Sequence, residues 1–466
     1  MHDTCVRRCT FDNLPYELIV QIFNAARRTA TAPSMRLTLA RLLLVSKQWH
    51  EIVAGCAILW DRIHFAAGDG ELGVVQLKVF IARSKGAHID VQFACFVDVD
   101  QPTRRAATVA ACSLLRNNIY RVRRLLFTGK VENLFPIPHP LPSLVYLYVA
   151  PFDDGAGASR VTHLVFDAPN LKTFIYSSLA LRPGVENPFV GINSHQLRDL
   201  KLGADDPKFV EFISTCSHLR HLSVSYTRRW QGTTKMPFLH DLDASGPLSG
   251  LKPLLAIAPP LVHLSARDFY TMGDAVLPIA EGSKLAWPPL PHLRTFTLAH
   301  RRFGDLTSVL KTSPRIVALD ISPSVGFATL FHALIGRETG GLQGDTEQAI
   351  CGELMLAPQL TLLRITFDNH LEVDDTSLIV SLTQELMLAR PNLNVRFRDL
   401  SPSKSKALEI LAEAFAGRLK ILGSSLAFGR KSSGEDSMRL ADLYPCNEVM
   451  DALDKKVVNA VSGRLL

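Results

Sequence analysis

The chain is 466 residues long, 47% hydrophobic and 20% charged, with a formal net charge of +7. Such a composition belongs to a folded chain and excludes extended disorder; the length suffices for two or three ordinary domains, or for one small domain and a long repeat array. The basic excess is too dilute to predict nucleic-acid binding, no apolar run is long enough for a membrane span, and the opening MHDTCVRRCTFD has no apolar core for a signal peptide.

Residues 14–60 read LPYELIVQIF, a spacer, LLLVSKQWHEI and then LW. Leu14, Leu18, Ile19, Ile22 and Phe23 recur at helical spacing, with Glu17 and Gln21 on the polar side. Leu14-Pro15 sets the start, because proline is tolerated in a first helical turn. A second amphipathic run from Leu37 to Val53 carries Leu42, Val45, Trp49 and Ile52, and a short third element holds Leu59, Trp60 and Ile63. A segment of about 50 residues is marginal alone, so a partner or the following domain must cover part of its apolar side.

The order LPxEL, IF, LVSxxW, LW resembles an F-box, over residues 11–65. The resemblance implies contact with a Skp-family adaptor through Leu14, Pro15, Leu18, Ile22, Val45 and Trp60. It also implies an SCF-type ubiquitin ligase with a cullin scaffold, in which this chain is the substrate receptor and not the catalyst. The stretch Asn24 to Thr38 departs from the pattern. It is longer than the usual link between the first two F-box helices, and Pro33, Ser34 and its Thr/Ala content predict an inserted loop. The alternative is an ordinary amphipathic helical hairpin inside a larger domain.

Gly68-Asp69-Gly70-Glu71-Leu72-Gly73 is a literal GxGxxG. It follows the apolar Ile63-HFAA and precedes the helix-like Val74-VQLKVFIARS and the strand-like His88-IDVQF, an order that mimics a dinucleotide-binding βαβ unit. Asp69 and Glu71 count against that use, since they put negative charge where a pyrophosphate should meet bare amides.

From here the chain is organised by a loose repeat. Units such as Pro142-SLVYLYV, Pro169-NLKTFIY and Ser217-HLRHLSV share an LxxLxL pattern that most units carry, Pro391-NLNVRF continues the series, and Arg121-VRRLLF reads as an earlier unit. The anchors are Leu144, Leu171, Leu197, Leu219, Leu261, Leu293, Ile316, Leu360 and Leu393, separated by 22 to 44 residues. The short intervals match a leucine-rich repeat, and the long ones leave room for a larger loop or a missed degenerate unit. The final L-x-L predicts a short strand whose alternate residues point inward, and no unit can bury its apolar face without neighbours. The stretch resembles the irregular leucine-rich repeats that follow an F-box, which implies a curved solenoid. A non-repeating α/β domain with many strands is the alternative.

Between the strands, Pro207-KFVEFISTCS, Leu306-TSVLKTS and Thr376-SLIVSLTQELMLAR read as helices, while Gln231–Gly250 and Arg337–Gly352 read as exposed loops. The outward positions of the strands hold Tyr146, Tyr148, Lys201, His221, His263, Arg267, Asp320 and Arg364. As a set they are the expected substrate-binding surface; the plain reading of each residue is the solvated face of a sheet. Arg228-Arg229-Trp230 and Arg301-Arg302-Phe303 could grip an acidic or phosphorylated ligand, or be loop surface. After Ser401, Lys406-ALEILAEAFAGRL reads as a helix, Gly429–Met438 as a loop and Glu448–Val461 as a weaker helix, together a cap or tail.

No HExxH, CxxC pair, GxSxG elbow or P-loop occurs, so no enzyme, catalytic residue, cofactor or metal is expected. The eight scattered cysteines read as reduced thiols of a cytoplasmic or nuclear protein. The expected architecture is α/β: a small helical F-box domain over 11–65, a curved leucine-rich-repeat solenoid over 66–400, and a helical cap or tail over 401–466. The leading function is recognition of a protein substrate for a ligase. The competing one is an F-box-like interaction protein that acts outside a ligase, and a dinucleotide enzyme is a third.

Overall fold

The first helix begins just after Pro15, whose carbonyl accepts from the amides of Leu18 at 3.0 Å and Ile19 at 3.2 Å. The computed structural model describes residues 14–29, 32–94, 102–129, 139–150, 166–176, 192–202, 207–225, 235–246, 254–256, 258, 260–267, 287–300, 309–323, 327–336, 356–367, 376–398, 402–415 and 417–422. One compact unit reaches Asn170, and a second runs from Leu171 to Arg430.

The first unit starts with helices α1 (Tyr16–Thr29), α2 (Ala32–Val45) and α3 (Lys47–Gly55). The expected inserted loop is therefore mostly helix. Asn24 to Thr29 extends α1, α2 begins at Ala32, and residues 30–31 lie outside the described set. The loop reading rested on Pro33, yet proline within a first turn removes no intrahelical hydrogen bond. The run expected to be one helix from Leu37 to Val53 is two. Ser46 takes an extended conformation and its hydroxyl accepts from the Trp49 amide at 3.1 Å, which caps α3.

Ile19, Phe23, Leu39, Ile52, Val53, Leu59 and Trp60 form the core of this helical region. Phe23 packs on Trp49 with ring centroids 4.7 Å apart. Arg27, 1% exposed, closes the far end of α1 by donating to Asp61 Oδ1 at 2.6 Å. Mixed α/β structure follows: β1 (Arg62–Ala66), α4 (Gly70–Arg83), β2 (Ile89–Ala94), α5 (Pro102–Arg116), β3 (Val122–Thr128), β4 (His139–Pro140), β5 (Tyr146–Ala150) and β6 (Phe166–Asp167). Strands β1, β2, β3 and β5 pair in that order, all parallel, while β4 pairs with β6. Helix α5 had no reading in the sequence; Thr108, Ala111 and Cys112 give it a small-residue buried face that periodicity of large apolar residues misses.

The GxGxxG segment does sit in a β1-α4-β2 unit, and packing accounts for its last glycine. A Cβ on Gly73 would stand 2.7 Å from Asp69 Cβ and 3.1 Å from the Phe65 ring, so α4 lies against β1 only because that position is bare. Gly70 takes φ +55° at the helix start, which glycine adopts without strain.

The second unit is a long parallel sheet with helices between strands. Its strands are β7 (Thr173–Tyr176), β8 (Asp199–Leu202), β9 (His221–Ser225), β10 (Asp241–Ser245), β11 (His263–Arg267), β12 (Thr295–His300), β13 (Ala318–Pro323), β14 (Leu362–Thr366), β15 (Asn394–Arg398) and β16 (Leu419–Leu422), paired in sequence order. Its helices are α6 (Pro207–Thr215), α7 (Phe327–Ile335), α8 (Thr376–Ala389) and α9 (Pro402–Ala414). Every repeat anchor from Leu144 to Leu393 is buried, at most 4% exposed.

The units join in a recurring way. Eight of the nine anchor amides close a turn onto the carbonyl three residues back, as Leu219 does on Cys216 and Leu393 on Arg390. The next amide then reaches the preceding unit: Arg220 to Arg198 at 2.8 Å, His240 to Arg220 at 2.9 Å, Arg294 to Val262 at 2.8 Å and Asn394 to Thr361 at 2.8 Å. Buried arginines tie helix ends to these turns. Arg390, 6% exposed, donates through Nε to Leu334 O at 2.9 Å and through Nη1 to Ala357 O at 2.8 Å.

Two expectations for this unit change. Gln231–Gly250, read as a loop, contains β10 with Leu239 and Leu242 buried. It is the degenerate unit missed in the interval from Leu219 to Leu261, disguised by Asp241, Asp243 and Ala244 where larger residues were sought. Beyond residue 400, β16 continues the sheet after α9, so Leu419–Leu422 is strand and not part of a purely helical cap. Of the Leu306 helix, residues 309–312 are described and helical. Arg337–Gly352, Arg228–Trp230, Arg301–Phe303, Gly429–Met438 and Glu448–Val461 lie outside the described residues.

Candidate functional site

Two kinds of surface can do chemistry: the outside of the helical region, and the polar side of the strands in each unit. On the helical region, α1 buries Ile19 and Phe23 and turns a second apolar stripe outward. Leu18 and Ile22, four residues apart, are each 44% exposed, and Pro15 precedes them by one turn on the same side. Val45 ends α2 at 58% exposure beside Leu44 at 72%. Leu14 is half-buried against the helical core, where it helps line a shallow concavity of about 370 Å³ with Tyr16, Gln48 and Glu51. Burial pushes the Tyr16 hydroxyl above its ordinary pKa, with Cys56 and Glu17 adding in the same direction.

Trp60 is different from the other five residues expected here. It is 4% exposed, its indole N–H donates to Val53 O at 2.7 Å, Phe80 packs edge-on to it and the Arg83 guanidinium lies 4.6 Å over its ring. So placed, Trp60 offers almost no surface; it fixes α3 to α4 from inside.

The second surface is the polar face of the parallel sheets. Along each strand, buried residues alternate with these polar ones, as period-2 geometry requires. Tyr146 and Tyr148 lie on β5 of the first unit, half-buried, with the Arg124 guanidinium 4.7 Å over the Tyr146 ring. Burial raises the Tyr146 pKa, and Arg124 acts against it.

In the second unit, register brings one row together across six strands: Thr173, Asp199, His221, Asp241, His263 and Thr295. Thr173 Oγ1 donates to Asp199 Oδ2 at 2.8 Å. His221 lies between carboxylates, hydrogen-bonded to Asp241 and with Nε2 3.6 Å from Asp199. His263 Nε2 is 3.7 Å from Asp241, and its Nδ1 meets Thr295 Oγ1 at 2.5 Å. A second row places Lys201, Ser223, Asp243, Ser265, Thr297, Asp320 and Arg364 side by side. Arg267 approaches Asp243 at 3.9 Å and Arg364 approaches Asp320 at 3.8 Å. Burial raises the Asp320 pKa despite Arg364 and Arg398, which pull it down.

Together these rows bound an open groove of about 400 Å³ over β7 to β12. With its histidines about half exposed, each of these contacts contributes ~0–1 kcal/mol at most, so the rows present polar groups more than they stabilise the sheet. Lys201, His221 and His263 line the groove, and Arg267, Asp320 and Arg364 lie on the same polar face. The sequence reading missed Asp199, Asp241 and Asp243. Asp199 stands beside the Leu200 strand position and carried the same signal as Lys201; the other two belong to the strand mistaken for a loop. Among the described residues, no cluster of His, Cys, Asp or Glu has metal-binding geometry, and no helix is long and apolar enough to cross a membrane.

Compared with known protein families, residues 11–66 match the F-box-like family. The match covers the three helices, Leu59, Trp60 and β1, and it supports an F-box protein; F-box domains typically bind Skp-family adaptors. No curated protein matches the chain.

Proposed function

We propose that this chain is the substrate-recognition subunit of an SCF-type ubiquitin ligase. The observation that carries the reading is the coincidence of the F-box-like match with an apolar stripe turned outward at the motif's own positions. Leu18 and Ile22 have no reason to be exposed leucine-class residues on a helix whose opposite side already fills the core, unless a partner covers them. Leu14, Pro15, Leu18, Ile22 and Val45 are assigned to the contact with a Skp-family adaptor and, through it, a cullin scaffold. Trp60 is assigned to holding that surface in shape.

The strand stack is read as irregular leucine-rich repeats forming a curved solenoid, supported by the LxxLxL anchors, the unit-to-unit amide bonds and the parallel order of strands. Its polar face is the proposed substrate surface, including Lys201, His221, His263, Arg267, Asp320 and Arg364, with Tyr146 and Tyr148 on the first unit. The role is binding, with no catalytic residue assigned. Cys56, Cys112 and Cys216 are thiols outside any disulfide, the last pushed up to about 12 by burial, which fits a reducing cytoplasmic or nuclear compartment. Co-expression with a Skp-family adaptor and a cullin, followed by gel filtration, tests the assignment: one ternary peak is expected. A folded chain that elutes alone, while an F-box control joins the complex, removes the ligase reading and leaves an interaction protein.

A further inference from the structure

The two ends of the second unit's polar face differ in charge. Over β8 to β11 acids and basic side chains interleave, with His221, His263 and Arg267 each beside a carboxylate. Over β14 to β16 they do not. Register places Arg364 opposite Arg396 and Arg396 opposite Lys420, in neighbouring strands about 4.8 Å apart. Arg398 adds a fourth cation two residues along β15. Strands β14, β15 and β16 contain no acid, and Asp320 on β13 is the nearest carboxylate of the row.

Like charges set directly opposite on a sheet destabilise it, and alternation was available, as the neighbouring strands demonstrate. Nothing in the packing demands the cations either. Arg398 and Lys420 are exposed, Arg396 is half-buried, and the inward positions are filled by Val395, Phe397 and Leu419. Arg364 Nε makes no hydrogen bond among the described residues. A row that sets like charges side by side, with Asp320 as the one carboxylate recorded against it among the described residues, fits a site whose remaining counter-charge arrives from outside.

We infer that Arg364, Arg396, Arg398 and Lys420 form a docking row for an acidic protein segment, an extended stretch carrying several Asp or Glu side chains. This deepens the reading of the polar face as the substrate surface and stands apart from adaptor docking. Extended peptide favours this match: carboxylates two residues apart lie about 6.6–6.8 Å from one another, the spacing of Arg396 and Arg398 along β15. Single-stranded nucleic acid fits less well, because the outward positions of these strands carry Leu362, Thr366, Asn394 and Leu422 and no aromatic ring on which a base could stack.

The test is fluorescence anisotropy on the full chain with three labelled probes: a Glu-rich decapeptide, its Gln-substituted counterpart and a uridine oligonucleotide of equal charge. The expected result is binding of the acidic peptide, weakened at least ten-fold by Arg396→Glu and by raising salt from 50 to 200 mM, with the Gln peptide much weaker. Lys311→Glu, exposed on a helical segment and not on the sheet's polar face, should change it less than two-fold. Arg396→Glu should also raise the thermal midpoint, since it converts the row to alternating charge, so lost binding cannot be laid to unfolding. Equal binding by wild type and Arg396→Glu, or tighter binding of the oligonucleotide, overturns the inference. So does no peptide binding at all. Adaptor binding, measured on the same preparations, is expected to be unchanged by Arg396→Glu; its loss in the wild type would count against the ligase reading alone.

Discussion

Arg36 on α2 and Asp69 at the start of α4 are joined by a 3.0 Å ion pair, and the same guanidinium nitrogen donates to His64 O at 2.6 Å. The stretch that looked like an insertion thus grips the glycine-rich segment that looked like a phosphate loop. Asp69 is occupied as an acceptor, with the Ala66 amide at 3.4 Å as well as Arg36, and the pair ties the helical region to β1 and α4.

Removing that tie should be felt. Arg36→Ala leaves a half-buried carboxylate and a backbone carbonyl short of a donor, so a loss of about 1–3 kcal/mol is expected in urea unfolding followed by circular dichroism. Arg36→Lys should restore only part of it, since one ammonium cannot reproduce the guanidinium's planar fork.

Arg27 and Asp61 form a more deeply buried pair, with Arg27 also donating to Asn24 Oδ1 at 2.8 Å. Burial lowers the Arg27 pKa, and Asp61 is the group that acts against this. Asp61→Ala strands a buried cation and is expected to cost about 3–5 kcal/mol. The double replacement Arg27→Met with Asp61→Leu should recover most of that loss. A double variant as unstable as the single one would show that the pair does more than cancel its own charge.

His64 supplies a pH dependence. Burial, with Arg36 beside it, depresses its pKa from 6.5 to about 4. The unfolded chain takes up this proton below pH 6.5 while the folded chain resists it until about 4. Stability from this group is therefore fully present above pH 6.5, falls as pH drops towards 4, and then levels off, a difference of about 3 kcal/mol. Unfolding free energies at pH 7 and pH 5 should diverge less in His64→Gln than in the wild type.

Arg390 holds the end of α7 and the turn before β14 with one side chain. Arg390→Met keeps the apolar stem but removes the side-chain donor to Leu334 O and one of the two donors to Ala357 O, which keeps the Leu360 amide, so a loss of about 1–3 kcal/mol is expected. Amide exchange of the final turn of α7 should rise before that of β15. Uniform change across the unit would mean that the contact is not local.

How much of this was legible depended on residue size and repetition. The strands could be read because Leu171, Leu219 and Leu293 each begin the same short pattern, and each is buried. Strand β10 escaped because Asp241 and Asp243 made it look like loop, although Leu239 and Leu242 keep the spacing. Helix α2 escaped because Pro33 was weighed as a breaker without asking whether it fell in a first turn. For the proposed docking surface, the motif could not separate exposed Leu18 from buried Trp60; both are large and apolar, and only the packing of α3 against α4 distinguishes them. Cross-strand rows such as Asp199–His221–Asp241 depend on register, which a sequence with unequal intervals does not fix.

The central claim is that the outward stripe of α1 is an adaptor-docking surface. Titration of a Skp-family adaptor into the full chain by isothermal calorimetry, beside Leu18→Asp with Ile22→Asp, tests it most directly. Because both side chains are already 44% exposed, the double variant should keep its thermal midpoint within a few degrees. Its affinity should fall at least 100-fold, about 2.7 kcal/mol. Unchanged affinity in the variant, or no heat from the folded wild type while an F-box control binds, would contradict the account.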